Sequence, residues 1–174
     1  MKFINRSMSF IVFCAALTFA FAAVASAQNA KDYQILTNAD LNKVVPKSFY
    51  FAGQSAETQM RNAAAAKIGA ERYVVAGMVD TSGYSTEISG KYEGFFITDS
   101  PVAVGDKTLA TGAYGFGFAS NGQIKFFDLS SKEILSVATQ SDADMKRPRP
   151  LQMTAEAKGI RLYKGKNYVL IAPK

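Results

Sequence analysis

Histidine and tryptophan are absent from this 174-residue sequence, cysteine occurs once and proline five times. Without histidine there is no Ser-His-Asp triad, no Cys-His pair and no imidazole metal ligand. The single cysteine, Cys14, lies in an N-terminal segment that reads as removable. The remaining chain then has no disulfide, no thiolate nucleophile and no cysteine-ligated zinc or iron–sulfur site. We therefore expect neither a cofactor nor a metal. A long apolar run is lacking too: the longest, Phe10 through Val24, has about 15 residues and is interrupted only by Thr18. A bilayer-spanning helix needs ~20.

That run has the layout of a secretory signal. Lys2 and Arg6 precede it, and Ala25-Ser26-Ala27 ends it with small residues where a signal peptidase reads. Cleavage is expected between Ala27 and Gln28, giving an exported protein, periplasmic or extracellular, with no stable membrane anchor. Cys14 is no lipid-attachment site, because Phe13 precedes it and it sits inside the apolar core. Removing residues 1–27 takes away Lys2 and Arg6 and no acid, so 18 cations face 14 acids, a net charge of +4 over 147 residues. Such a mild excess suits an anionic envelope but is too small to imply nucleic acid. A chain of this length makes one domain with one packed core.

What is present is aromatic and strand-like. Residues 28–47 read as a leader containing one short helix near 38–45, where Leu41, Val44 and Val45 have helical spacing and Pro46 ends the turn. From Ser48 onward the pattern is β, forming a single domain over 48–174. Residues 72–79 form a nearly continuous apolar run, which suits a strand covered on both faces. Tyr114, Phe116 and Phe118 alternate with Gly115 and Gly117, so the three rings share one face. Asn121-Gly122 is a hairpin signal, and Lys164-Gly165-Lys166 turns the last two strands. Further strands are expected at 49–51, 92–98, 123–129, 134–138, 151–155, 160–163 and 167–172. Residues 55–67 combine high helix propensity with a position between two strong strands, which leaves helix and strand equally open. Lys146-Arg147-Pro148-Arg149-Pro150 reads as an extended linker. The sum is an all-β, mainly antiparallel domain of eight or nine strands, either a small barrel or a sandwich.

Val102-Ala103-Val104-Gly105, then Leu109, then Gly112-Ala113-Tyr114-Gly115-Phe116 form a segment that resembles uncharacterised exported bacterial β-rich proteins. In those a strand ends in Val-Gly, a short turn carries Leu, and Gly-x-Tyr opens the next strand. The proline usual near Thr111 is missing here. The resemblance implies an envelope β domain and no particular activity.

Four places can carry chemistry. The loop from Asp80 to Glu87 is dense in hydroxyls, and Ser82, Tyr84 and Ser85 could form the rim of a ligand site, or simply shape a turn. Glu93 could point at apolar surface and pair with Asp80, Glu87 or Asp99 as acid and base, or simply reach water. Lys146, Arg147 and Arg149 could join Arg161, Lys164 and Lys166 in a cationic edge, with Arg147, Arg149, Arg161 and Lys164 the residues expected to meet an anionic partner, or serve as strand-edge charges that block aggregation. The aromatic set, with Tyr114 near its entrance, could line a pocket or fill a solid core. No Ser-x-x-Lys spacing occurs, which removes the commonest histidine-free hydrolase arrangement. The composition favours binding over catalysis. We expect capture of a small apolar or amphipathic ligand. The alternatives are contact between the cationic edge and an anionic envelope component, and a carboxylate-based hydrolase.

Overall fold

The computed structural model describes residues 33–174. Cys14, the apolar run and the expected Ala27–Gln28 cleavage position lie outside the described residues. In chain order the elements are β1 (Tyr33–Ile35), α1 (Asn38–Val44), β2 (Ser48–Phe51), β3 (Gln54–Ile68), β4 (Arg72–Val79), α2 (Thr86–Ser89), β5 (Gly94–Thr98), β6 (Val102–Val104) and β7 (Lys107–Leu109). They continue with β8 (Gly112–Ala119), β9 (Gln123–Phe127), β10 (Glu133–Ala138), β11 (Gln140–Ser141), β12 (Arg149–Glu156), β13 (Gly159–Gly165) and β14 (Asn167–Pro173). Every pairing is antiparallel.

Two sheets result, packed as a sandwich rather than closed into a barrel. The larger runs β1-β3-β4-β5-β8-β9-β10, with β2 also on β3. The smaller runs β12-β13-β14-β6-β7, with β11 on β14. Along one seam β12 lies against β1 and β3. At the other the chain leaves β10 through Thr139 and enters β11, changing sheets.

Side-chain alternation sorts the apolar residues into two layers. Between the sheets lie Phe96, Phe116, Phe126, Ile124, Ile160, Leu162 and Ile171, with Tyr114 and Phe118 packed at the margin. The aromatic face of β8 therefore points inward, and the space between the sheets is filled by side chains. The other face of the large sheet carries a second layer of Phe49, Phe51, Phe95, Phe127, Tyr84 and Tyr92, roofed by Leu41 and Val45 at α1. β4 shows why its sequence is apolar throughout. Val74 and Ala76 enter the first layer and Val75 and Val79 the second.

Residues 55–67, open between helix and strand, belong to β3. Ala63 and Ala65 face the outer layer, Ala64 and Ala66 the inner. Burial on both faces outweighs alanine's helix propensity, and a single methyl lets both layers approach closely. Two expectations need correction. Residues 28–47 are not merely a leader with a helix. Tyr33–Ile35 is a strand paired with Ile68, Lys67 and Ala66, and Tyr33 is buried. The eight or nine strands become fourteen among the described residues, because β3 is a strand and β1, β6, β7 and β11 are two or three residues long, too short to show a period.

Two turns behave as composition predicts, with Gly122 at φ +77° and Gly165 at φ +61°. Gly115 and Gly117 have a different reason. A β-carbon on Gly115 would collide with the Phe51 ring, and one on Gly117 with the Lys91 carbonyl oxygen. Both glycines let the covering layer touch β8 directly.

The buried phenols set an alkaline limit. Burial raises the Tyr92 pKa strongly and those of Tyr84, Tyr114 and Tyr163 to a lesser degree. A raised folded pKa means that the folded state keeps protons the unfolded chain gives up from pH ~10. Stability is therefore full below about pH 10 and is expected to fall above it, as followed by circular dichroism against pH. The buried Tyr92 hydroxyl makes no well-formed hydrogen bond among the described residues, its only polar influence being the neighbouring Tyr84 hydroxyl. Tyr92→Phe is expected to raise stability by about 1 kcal/mol and to move the alkaline unfolding to higher pH. A loss of stability in urea denaturation would contradict this.

Candidate functional site

The hydroxyl-rich loop is used up by its own geometry. Asp80 accepts the Ser82 backbone N–H at 3.0 Å, and this bond and the Ser82 side chain hold its carboxyl below the usual range. Ser85 caps α2, its Oγ accepting the Ile88 N–H at 3.4 Å. Tyr84 is buried in the outer layer, edge-on to Tyr92 at 5.4 Å, and its hydroxyl donates to the Gln54 carbonyl at 3.1 Å. It anchors the loop and presents no stacking face. Tyr114 belongs to the other side of the sheet, packed on the inner layer, with its hydroxyl donating to the Ala110 carbonyl at 2.9 Å. Ser82, Tyr84 and Ser85 are thus not brought together with Tyr114.

Glu93 does not face apolar surface. It lies just before β5, where its own N–H continues the ladder to the Phe116 carbonyl. One carboxylate oxygen accepts the Phe118 N–H at 2.9 Å and the other is ion-paired with Lys164. Lys164 belongs to the small sheet, so this pair ties the two sheets at one end of the sandwich. The other carboxylates of the loop region are engaged elsewhere: Glu87 pairs with Lys91 at 3.6 Å and Asp99 accepts the Tyr73 N–H at 2.7 Å. Glu93→Gln keeps the shape but loses the ion pair. It is expected to lower stability by about 1 kcal/mol, a surface-pair magnitude given that both side chains are partly exposed. Chemical denaturation reads this directly.

The cationic residues divide by strand parity. Ile160, Leu162 and Lys164 share the inward face of β13, and Arg161 and Tyr163 point outward. Outside, Arg161 is consumed in a network. Its guanidinium lies 3.5 Å from Glu156 and 3.8 Å from Asp142, donates to the Tyr163 hydroxyl at 3.2 Å and stacks 4.6 Å over the Tyr168 ring. The cationic edge expected from Arg147, Arg149, Arg161 and Lys164 therefore loses Arg161, and Arg147 does not line the groove that the other two share.

Arg149 and Lys164 do converge. With Lys166 they line a groove of about 570 Å³ at the end of the sandwich, whose apolar lining comes from Phe118, Pro148 and Pro150. Lys164 Nζ lies 5.9 Å from the Phe118 ring centre. Register explains the meeting. Arg149 lies opposite Gly165 across β12 and β13, next to the turn that carries Lys164 and Lys166. Arg147, Arg149 and Lys166 have no ion pair among the described residues.

The sequence places Lys166 in the cationic last hairpin and Phe118 in the aromatic set, but does not join the two in one site. The available signal was parity: Phe118 is the last inward ring of β8 and Lys164 the last inward side chain of β13, so both fall at the same open end. A second groove of about 230 Å³ adjoins the first, lined by Gly90, Lys91, Glu93, Gly117, Phe118 and Lys125. Gly117 permits it, because the chain at Lys91 crosses β8 at that missing side chain.

No family model, curated protein or solved structure matches this chain. Among the described residues there is no helix long and apolar enough to cross a membrane, and no group of three or more acidic, cysteine or histidine side chains placed to hold a metal ion.

Proposed function

We propose that this is an exported, non-enzymatic recognition domain that binds an amphipathic anion in the groove formed by Arg149, Lys164, Lys166 and Phe118. One observation carries the reading: three cations, from the start of β12, the end of β13 and the turn into β14, converge on an exposed edge of the inner aromatic layer. The apolar portion of the ligand lies along Phe118, Pro148 and Pro150, and its anionic group meets the cations. Charge-assisted hydrogen bonds from arginine and lysine suit phosphate or carboxylate oxygens. The filled space between the sheets favours capture at this end over capture in the interior. The histidine-free composition supports binding without turnover.

Octyl phosphate is a direct probe, with binding read as a rise in the thermal midpoint. Arg149→Gln combined with Lys166→Gln is expected to weaken it about tenfold, roughly 1.4 kcal/mol. Affinity is also expected to fall as salt rises, since exposed charges are screened. Binding that ignores both the substitutions and the salt would refute the proposal.

A further inference from the structure

The two grooves at the end of the sandwich are separate in outline but not in structure. They share Phe118 and Ala119. The Glu93–Lys164 ion pair joins them, Glu93 lining the smaller and Lys164 the larger. Each has its own cations: Arg149, Lys164 and Lys166 in one, Lys91 and Lys125 in the other. Glu93 is the one acid in either lining, and it is already committed to Lys164 and to the Phe118 N–H.

Strand geometry puts them on two sides of one strand end. Phe118 faces the inner layer, and Lys125 lies opposite Gly117, on the outer face of the large sheet. A ligand held by both must pass over the end of β8 at Phe118 and Ala119. It needs an anionic group at each end and a flexible apolar middle. Three cations in the larger groove suit a phosphate monoester, which carries close to two charges and three acceptor oxygens. The smaller groove has room for one such group and two lysines to meet it.

We propose that the ligand is an amphiphile bearing two phosphate groups, one in each groove, with its apolar segment across Phe118. This rests on the binding role assigned above to the larger groove. It adds Lys91 and Lys125 as the residues that select a second anionic group. Their present partners, Glu87 at 3.6 Å and Glu133 at 2.8 Å, are exposed, and such pairs exchange readily for a ligand oxygen.

The test compares octyl phosphate with 1,8-octanediol bisphosphate on the same protein by calorimetric titration. The bisphosphate is expected to bind at least about tenfold more tightly, since its second group binds as an intramolecular event. Lys91→Gln combined with Lys125→Gln is expected to erase that advantage. Lys158→Gln, at the turn between β12 and β13, is expected to leave it within about twofold, as a distant surface change should. Equal affinities for the two probes, or an advantage that survives loss of Lys91 and Lys125, overturns the two-phosphate proposal alone if octyl phosphate still binds and depends on Arg149. Failure of both probes to bind overturns the larger-groove reading as well. Thermal unfolding of each variant, expected within a few degrees of the parent, separates lost binding from lost folding.

Discussion

Phe51→Ala is expected to cost about 4 kcal/mol of folding stability, as full truncation of a buried phenylalanine does. Phe51 has no exposed surface. Its ring stacks on Tyr92 at 4.0 Å, meets Tyr84 and Phe127 edge-on at 6.4 and 6.3 Å, and occupies the hollow left by Gly115. Nothing nearby can collapse into the gap, because Tyr84 is pinned to Gln54 and β8 is held on both sides by β5 and β9. Against a total of ~5–15 kcal/mol this is a large fraction. It should appear as a lower urea midpoint with an unchanged slope. Phe51→Leu keeps most of the volume and is expected to lose about half as much. If alanine costs under about 1 kcal/mol, the outer layer is not a core and the large sheet stands on its inner face alone.

The second large effect is expected at Gly117. Its backbone φ is not in the left-handed region, so the reason for glycine is space alone. A methyl group there meets the Lys91 carbonyl, a backbone atom that cannot rotate aside. Gly117→Ala is expected to cost about 3 kcal/mol through overpacking. It also displaces the 90–93 segment and with it Glu93, so octyl phosphate and bisphosphate binding should both weaken in the surviving folded protein. Gly83→Ala is the matched control. Its nearest neighbour would be the end of the Gln54 side chain at 4.0 Å, and a change within about 0.5 kcal/mol is expected. Equal effects at the two glycines would remove the steric explanation.

These two positions mark what the amino-acid order could and could not reveal. The alternation Tyr114-Phe116-Phe118 shows that the rings share a face, and β4 shows burial on both sides through its unbroken apolar run. The glycines between the rings show only that something approaches closely, because the approaching groups, Phe51 and Lys91, come from elsewhere in the chain. β3 was ambiguous for a related reason. Its alanines fit either element until two covering layers decide. At the candidate site, Arg149 and Lys164 were legible as basic residues near turns. Their separation from Arg161 follows from period-two alternation, but its consequence needs the Glu156, Asp142 and Tyr168 neighbours. Lys91 and Lys125 gave no local signal, since only the pairing of β8 with β9 and the crossing at Gly117 place them beside Phe118.

The seam where β12 lies against β1 and β3 has a kinetic consequence. Tyr33, near the start of the described chain, shares the inner layer with Leu151 and Met153, more than a hundred residues later. Closing so long a loop is slow, and little is gained until it is closed. Early hairpins such as β8–β9 can form and dissolve locally, but the inner layer stays open to solvent until the last three strands have arrived. The chain should therefore fold late and as a whole, on a timescale of milliseconds to seconds, and a nascent chain ending at Pro148 should remain collapsed but unlocked.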